Sequence, residues 1–191
     1  MHTIQKKSTA TYEEKQSKFI AHLVPYSEYK STLEHLKAEH PKARHFVTSY
    51  RYINEFDQIV ENSSDDGEPK GTSGKPTLSV LQGKELVNAA VIVVRYFGGT
   101  KLGTGGLVRA YSDAVNMAVN NAALLEYKKE ETAVIVFEYT DMGRVEYECT
   151  QCEVKIVEKF FEADVRFRIK AERSALDCLY AKLDRMITAK S

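Results

Sequence analysis

Two short segments of the chain concentrate the residue types that could bind or react with a ligand. Nine of the ten glycines lie between Gly67 and Gly106, and charged side chains stand among them. The first segment begins at the acidic run Asp65–Glu68, and the second extends from Arg95 to Arg109. Glycine is required where the backbone adopts a positive φ or lies very close to another group. The pattern therefore predicts two loops that form a site largely from backbone.

The second segment has the layout of an anion site. It follows the apolar run Ala89–Val94 and precedes a pattern typical of an amphipathic helix. A helix N-terminus favours an anion, because unpaired N–H groups and the helix dipole meet there. Nearby Arg and Lys side chains would strengthen such binding. The candidate residues for binding an anion or RNA are Arg95, Gly98, Gly99, Lys101, Gly103, Gly105, Gly106 and Arg109.

The same segment has a second interpretation, in which the glycines only allow close packing of the helix on the sheet. Neither the P-loop nor the dinucleotide-binding glycine pattern is matched, so no nucleotide cofactor is predicted. Arg109 would then pair with Asp113 one helical turn later. Under this interpretation, alanine at Gly105 and Gly106 would reduce stability.

The acidic segment offers Asp65, Asp66 and Glu68 as an acidic loop. Such carboxylates could hold Mg²⁺, or act as an acid and a base if burial separated their pKa values. A solvated turn with capping Asp side chains is the favoured interpretation. His45 is a further candidate for an anion contact or a base. The pattern identifies no catalytic residue, metal site or cofactor.

The bulk composition limits the function classes. Lys and Arg total 27 and Asp and Glu total 27, so a nucleic-acid surface would have to be a local patch. The chain begins without an apolar signal segment and has no run long enough to span a membrane, which predicts a cytoplasmic protein. Cys149 and Cys152 have CxxC spacing but lack a second ligand pair for zinc, which favours two free thiols.

The element pattern predicts two domains. Residues 1–17 are polar and are expected to be loosely ordered, and strands and helices then alternate to residue 121. From Thr132 the order β-α-β-β-α is that of a ferredoxin-like unit that lacks its last strand, so the second sheet is expected to be one strand short. The predicted domains are residues 1–127 and residues 128–191.

Two motifs carry a family resemblance. The stretch DDGEPKGTSGKP at residues 65–76, with Ser73 where alanine is usual, resembles a motif of the YigZ/IMPACT family. The stretch VVRYFGGTKLGTGGLVRAY at residues 93–111 resembles a second motif of that family. Residues 17–21 and 40–45 are weaker matches, and residues 131–191 are more loosely similar to the second domain of bacterial members.

The resemblance implies a fold and a function. It implies an α+β chain with a ribosomal protein S5 domain 2-like first domain, built on a four-stranded sheet, and a ferredoxin-like second domain. The eukaryotic member regulates translation by competing for the activator of a kinase of an initiation factor. The first hypothesis is therefore a non-enzymatic, translation-linked binding protein that contacts RNA, the ribosome or a ribosome-associated protein. The alternative is a binder of a small anionic ligand, or a hydrolase, that uses the glycine loop and the acidic loop together.

Overall fold

The chain forms two compact units, residues 1–127 and residues 128–191, in a computed structural model that describes residues 1–184, 186–187 and 189–190. Each unit combines one main sheet with helices, so the predicted two-domain α+β fold is confirmed. None of the helices within these described ranges is long and apolar enough to cross a membrane.

The first unit is built on a five-stranded sheet with the order β2-β3-β6-β4-β5, in which all neighbours are antiparallel. A separate short ladder joins β1 to β7. The elements of the first unit are β1 (His2–Thr3), β2 (Ser8–Glu14), β3 (Ser17–Pro25), α1 (Tyr29–Glu39), β4 (His45–Ile53), β5 (Ile59–Ser64), α2 (Gly74–Gly83), β6 (Ala89–Tyr96), α3 (Gly103–Asn120) and β7 (Leu125–Glu126).

Strand β6 is the centre of this sheet. Its residues from Ala89 to Val94 are completely buried, as the continuous apolar run predicts for a strand covered on both faces. One face belongs to the main core, which includes Tyr111 and Val115 of α3, and the other face contacts Leu36 of α1. This packing fixes the end of β6, from which the glycine-rich segment continues.

Strand β2 corrects the prediction that residues before 17 are loosely ordered. It pairs with β3 along its whole length, and alternate side chains face α3 and solvent. Ala10 is buried, and Tyr12 packs 6.4 Å from the ring of Phe19. The outward residues are polar, so the segment has too few apolar positions for its sequence to reveal an edge strand. It adds a fifth strand to the four that the family resemblance implies.

The second unit has the β-α-β-β-α-β order of the ferredoxin-like fold, with an antiparallel sheet of order β11-β8-β10-β9. The last strand, which we expected to be missing, is present: it is two residues long and pairs with Ile135 and Val136. Phe137 and Phe167 meet edge to face at 4.9 Å in the core. The elements are β8 (Glu130–Phe137), α4 (Met142–Gln151), β9 (Lys155–Phe161), β10 (Val165–Glu172), α5 (Arg173–Leu183) and β11 (Ala189–Lys190).

Candidate functional site

Two loops of the first unit meet at one pocket. Residues 65–73, the acidic loop, connect β5 to α2, and residues 97–102, the glycine loop, connect β6 to α3. Both β5 and β6 run antiparallel to β4, so they end at the same edge of the sheet. We call the cavity of about 330 Å³ between the loops the two-loop pocket; its lining residues are Glu68, Pro69, Arg95, Phe97, Lys101, Leu102, Gly103, Thr104 and Leu107.

A buried ion pair joins the two loops. Arg95 and Glu68 are only 5% and 9% exposed, and Nη1 of Arg95 donates a hydrogen bond to Oε1 of Glu68 at 2.5 Å. The hydroxyl of Tyr111 in α3 donates to the same oxygen at 2.7 Å. A carboxylate is tolerated at such depth only when a cation and donors compensate for lost water. Burial and the adjacent Glu68 raise the pKa of Tyr111 far above its usual value, which keeps the hydroxyl protonated.

The guanidinium of Arg95 is held on its other sides by aromatic rings. Its Cζ lies 5.3 Å from the centroid of Phe19 and 5.8 Å from that of Phe97, within cation–π distance. Its Nε is buried and has no hydrogen-bond partner among the described residues. A buried donor without an acceptor costs about 1–3 kcal/mol. The pocket therefore contains an Arg side chain whose hydrogen-bonding capacity the protein does not fully use.

Asp65 shapes the acidic loop from within. Its carboxylate accepts backbone hydrogen bonds from Gly71 at 2.7 Å, Ser73 at 3.1 Å and Gly74 at 2.8 Å, and the Ser73 hydroxyl at 2.8 Å. Burial alone would raise the pKa of Asp65, but these hydrogen bonds hold it below the ordinary value. Asp65 thus caps the start of α2.

Asp66 and His45 lie outside the pocket. The Asp66 carboxylate accepts a hydrogen bond from the backbone N–H of Phe46 at 2.6 Å, and Nδ1 of His45 donates to the Asp66 carbonyl at 2.9 Å. Both contacts attach the acidic loop to the start of β4. Of the three acidic residues predicted for this loop, Glu68 is the one that lines the pocket.

The three candidate cations occupy different environments. Arg95 is buried in the ion pair, and Lys101 is exposed at the pocket without an ion pair among the described residues. Arg109 is also exposed, but it lines a separate cleft of about 240 Å³ with Asp113 and Tyr12. The structure therefore brings Arg95 and Lys101 together and leaves Arg109 apart, without the predicted hydrogen bond or ion pair to Asp113 among the described residues.

The aromatic residues near the glycine loop also differ in exposure. Tyr111 is completely buried, and the half-buried Tyr96 bonds to Nδ1 of His40 at 2.9 Å through its hydroxyl. Phe97 is 53% exposed. Of these three rings, Phe97 alone has an open surface on which a ligand or partner could pack. We did not predict this exposure; the sequence signal for it is that a large apolar residue stands directly before the Gly98-Gly99 pair.

The candidate glycines serve different purposes. A Cβ on Gly98 would lie 2.0 Å from the backbone carbon of Gln16, so the β2–β3 turn excludes any larger residue. Gly106 is also tight, because a Cβ there would lie 3.0 Å from the Cβ of Leu102. A Cβ on Gly105 would meet open space, which contradicts the packing interpretation at that position. Gly99 and Gly103 have φ values of +88° and +73° and are required by conformation.

The CxxC pair lies in the second unit, with both thiols free and buried. Burial raises the pKa of the Cys149 thiol to about 11, and burial together with Cys178 raises that of Cys152 to about 11. Protonated thiols are poor nucleophiles and poor metal ligands at neutral pH. The geometry supports the interpretation of these residues as core thiols.

Known proteins match the chain over nearly its whole length. Residues 15–119 match the Impact N-terminal domain, and residues 135–186 match a domain of unknown function. An IMPACT family member of Haemophilus influenzae is 35% identical over 183 residues, which covers 93% of this chain and 88% of that protein. The IMPACT family member YigZ of Escherichia coli is 35% identical over 178 residues, with coverage of 92% and 87%. A crystal structure described as that of a hypothetical protein has a TM-score of 0.73 and 34% identity, and covers 95% of this chain and 90% of its own. The chain therefore belongs to the IMPACT family.

Proposed function

We propose that this IMPACT family member is a non-enzymatic, translation-linked regulatory protein, which contacts RNA, the ribosome or a ribosome-associated protein at the two-loop pocket. The observation that carries the proposal is the convergence of both glycine-rich loops on one pocket of the first unit. Family membership supports the link to translation, because the eukaryotic member regulates translation. Loops on a rigid sheet edge are a common location for binding residues.

The charge distribution favours a protein partner over RNA. Recognition of RNA through its backbone requires several cations that are free to approach phosphates. Arg95 is committed to Glu68, and Lys101 is the cation lining the pocket that has no ion pair among the described residues. The chain as a whole has no net charge. An exposed aromatic ring, as Phe97 provides, belongs to a residue class that is enriched at protein interfaces.

Sedimentation of cell lysate through a sucrose gradient tests the proposal. Wild type is compared with the double variant Phe97→Ala/Lys101→Glu, which changes two exposed side chains and leaves the buried ion pair intact. Lys37→Glu is the charge-matched control, because Lys37 is exposed on α1, away from the pocket. We expect wild type and the control to migrate with ribosomal particles and the double variant to migrate as free protein.

Treatment with ribonuclease before sedimentation separates the partner classes. If the protein still migrates with a large particle after the treatment, its partner is a protein. If the treatment releases the protein while the particles stay intact, its partner is RNA. If wild type migrates as free protein under all conditions, or if the folded double variant sediments like wild type, the proposal is wrong.

A further inference from the structure

We infer that Cys152 and Cys178 form a reversible disulfide when a peroxide oxidises the second unit. The site combines an exposed thiol, Cys178, with a buried thiol, Cys152, that hydrogen-bonds to it. It differs from the CxxC pair, because Cys178 belongs to the next helix along the chain. The modification is confined to the second unit and does not depend on the proposed function.

The two helices of the second unit run in opposite directions. Helix α4 connects β8 to β9, and α5 connects β10 to β11. In each case the two connected strands are parallel, because β9 and β8 are both antiparallel to β10, and β10 and β11 are both antiparallel to β8. Each helix therefore runs back against the strand before it, as in other split βαβ units. Since β8 and β10 are antiparallel, so are α4 and α5.

The register between these helices places the two cysteines opposite each other. Glu148 of α4 and Lys182 of α5 form an ion pair across the helices at 2.9 Å. The N–H of Cys152 donates to the carbonyl of Glu148 at 2.9 Å, so Cys152 lies one helical turn beyond Glu148 on the same face. Cys178 lies one turn before Lys182 on α5. In an antiparallel pair of helices, this spacing brings Cys152 and Cys178 together next to the ion pair.

The two thiols are in contact at this position. A hydrogen bond joins the side chains of Cys152 and Cys178. Burial, followed by this hydrogen bond, raises the pKa of the Cys152 thiol to about 11, so Cys152 is protonated and donates. The ammonium group of Lys182 hydrogen-bonds to Cys152 and also interacts with Cys178. A positive charge beside two sulfurs stabilises the negative charge that develops on sulfur during a reaction.

The sulfurs differ in their access to solvent, and this difference assigns their roles. Cys178 is exposed, whereas Cys152 is 6% exposed and Cys149 is 1% exposed. A dissolved oxidant reaches Cys178 first, because the susceptibility of a thiol to oxidation follows its exposure. Cys152 then acts as the resolving thiol, since it already contacts the oxidised sulfur. Cys149 faces the core and stays reduced.

Two steps complete the reaction with hydrogen peroxide. The sulfur of Cys178 attacks a peroxide oxygen; an S–O bond forms, the O–O bond breaks, and hydroxide leaves as water with the thiol proton. The sulfur of Cys152 then attacks that of Cys178; the S–S bond forms, the S–O bond breaks, and hydroxide leaves as water with the proton of Cys152. The two thiols together lose two electrons, which the peroxide gains. The second step is intramolecular, and the contact between the sulfurs compensates for the protonated state of Cys152.

Treatment of the full chain with hydrogen peroxide, followed by counting of free thiols in the unfolded protein, tests the inference. The chain has three cysteines, so we expect three free thiols before treatment and one after it. The intact mass should fall by that of two hydrogen atoms, and dithiothreitol should restore all three thiols. Trypsin should release residues 145–155 joined to residues 174–182, and fragmentation of this product should place the bond at Cys152 and not at Cys149.

Three serine variants assign the roles of the sulfurs. Cys152→Ser should still oxidise at Cys178 but form no intramolecular bond. Cys178→Ser should lose thiols about tenfold or more slowly than wild type, because both remaining sulfurs are buried. Cys149→Ser is the matched control and should form the bond as wild type does. Circular dichroism verifies that each variant is folded, and the fragmentation of the wild-type product requires no variant.

Three results would overturn the inference. They are a bond between Cys149 and Cys152, a bond between two copies of the chain through Cys178, and oxidation of Cys178 in wild type without any bond. None of these results affects the sedimentation of the reduced protein with ribosomal particles, so the disulfide and the proposed function can fail independently.

Discussion

The two units of the chain differ in the exposure of the ion pairs that we compare. In the first unit, the side chains of Arg95 and Glu68 are 6% and 4% exposed and connect the two loops of the pocket. In the second unit, ion pairs such as that of Arg168 and Glu158 lie on the surface, with the two side chains 46% and 48% exposed. Losing one partner of a buried pair costs about 3–5 kcal/mol, whereas exposed pairs contribute about 0–1 kcal/mol.

This difference indicates what each set of charges is for. The Arg95–Glu68 pair holds a particular loop geometry, because it is buried and joins the two loops of the pocket. The charges of the second unit alternate with core residues along β10, where Arg166 and Arg168 face outward between Val165, Phe167 and Ile169. They keep one sheet face polar and require no exact geometry.

Glu68→Ala should have the largest effect. It leaves Arg95 buried without a counter-charge and removes the acceptor of Tyr111, so the first unit should lose about 3–5 kcal/mol of unfolding free energy. Urea unfolding followed by the NMR signals of β6 reports on the first unit. The double variant Glu68→Met/Arg95→Met removes both charges and should recover most of the loss. If the double variant is as unstable as Glu68→Ala, removal of the unpaired Arg95 charge does not restore stability. The loss would then come from the absence of the charged side chains and not from a buried charge without a partner.

Gly98→Ala extends the contrast to the backbone. A Cβ at this position would overlap the backbone of Gln16 and Ser17, whereas a Cβ on Gly143 in the second unit would meet open space. Overpacking of this kind costs about 1–3 kcal/mol, and more when the neighbour is backbone that cannot move aside. We expect Gly98→Ala to reduce stability by about 3 kcal/mol and Gly143→Ala to be neutral or slightly stabilising, as measured by urea unfolding. Equal effects of the two changes would contradict the role of Gly98 in placing the glycine loop.

The sequence predicted the strands and helices that position the site more fully than it predicted the contacts within the site. The apolar run ending at Val94 and the amphipathic pattern after Gly106 were sufficient to predict β6 and α3. Arg95 continues this buried strand, which indicates that its side chain is buried too. A buried cation requires a partner that compensates for its charge. Sequence spacing could not identify Glu68 as that partner, because loop conformation brings together residues that are 27 positions apart. Edge strand β2 was missed because only one of its faces is apolar.

Asp65→Asn should have an intermediate effect that depends on pH. The pKa of Asp65 in the folded protein lies below the ordinary value of 3.8, so ionisation stabilises the fold. The contribution is fully present above about pH 4 and is lost as the pH falls through the folded pKa. We expect Asp65→Asn to cost about 1–2 kcal/mol at pH 7, as for loss of a helix cap, and less at pH 3. Asp113→Asn, an exposed change on α3, is the control.

Urea unfolding of wild type and both variants at pH 7 and pH 3 measures this effect. A cost of Asp65→Asn that is the same at both pH values would mean that the hydrogen bonds to Gly71, Ser73 and Gly74 do not depend on the charge of the carboxylate.

Glu130→Gln should have the smallest effect, although Glu130 has two cationic partners. Hydrogen bonds from Lys155 at 2.7 Å and an ion pair with Lys170 at 3.1 Å lower the pKa of Glu130. Both lysines are largely exposed, so water and salt compete with the interaction. We expect a loss of less than about 1 kcal/mol, measured through the NMR signals of β10 during urea unfolding, and a smaller loss in 1 M salt. A loss above 2 kcal/mol that salt does not reduce would show that this carboxylate stabilises the fold as strongly as Glu68 does. The ion pairs of the two units would then differ in how deeply they are buried but not in what they contribute to stability.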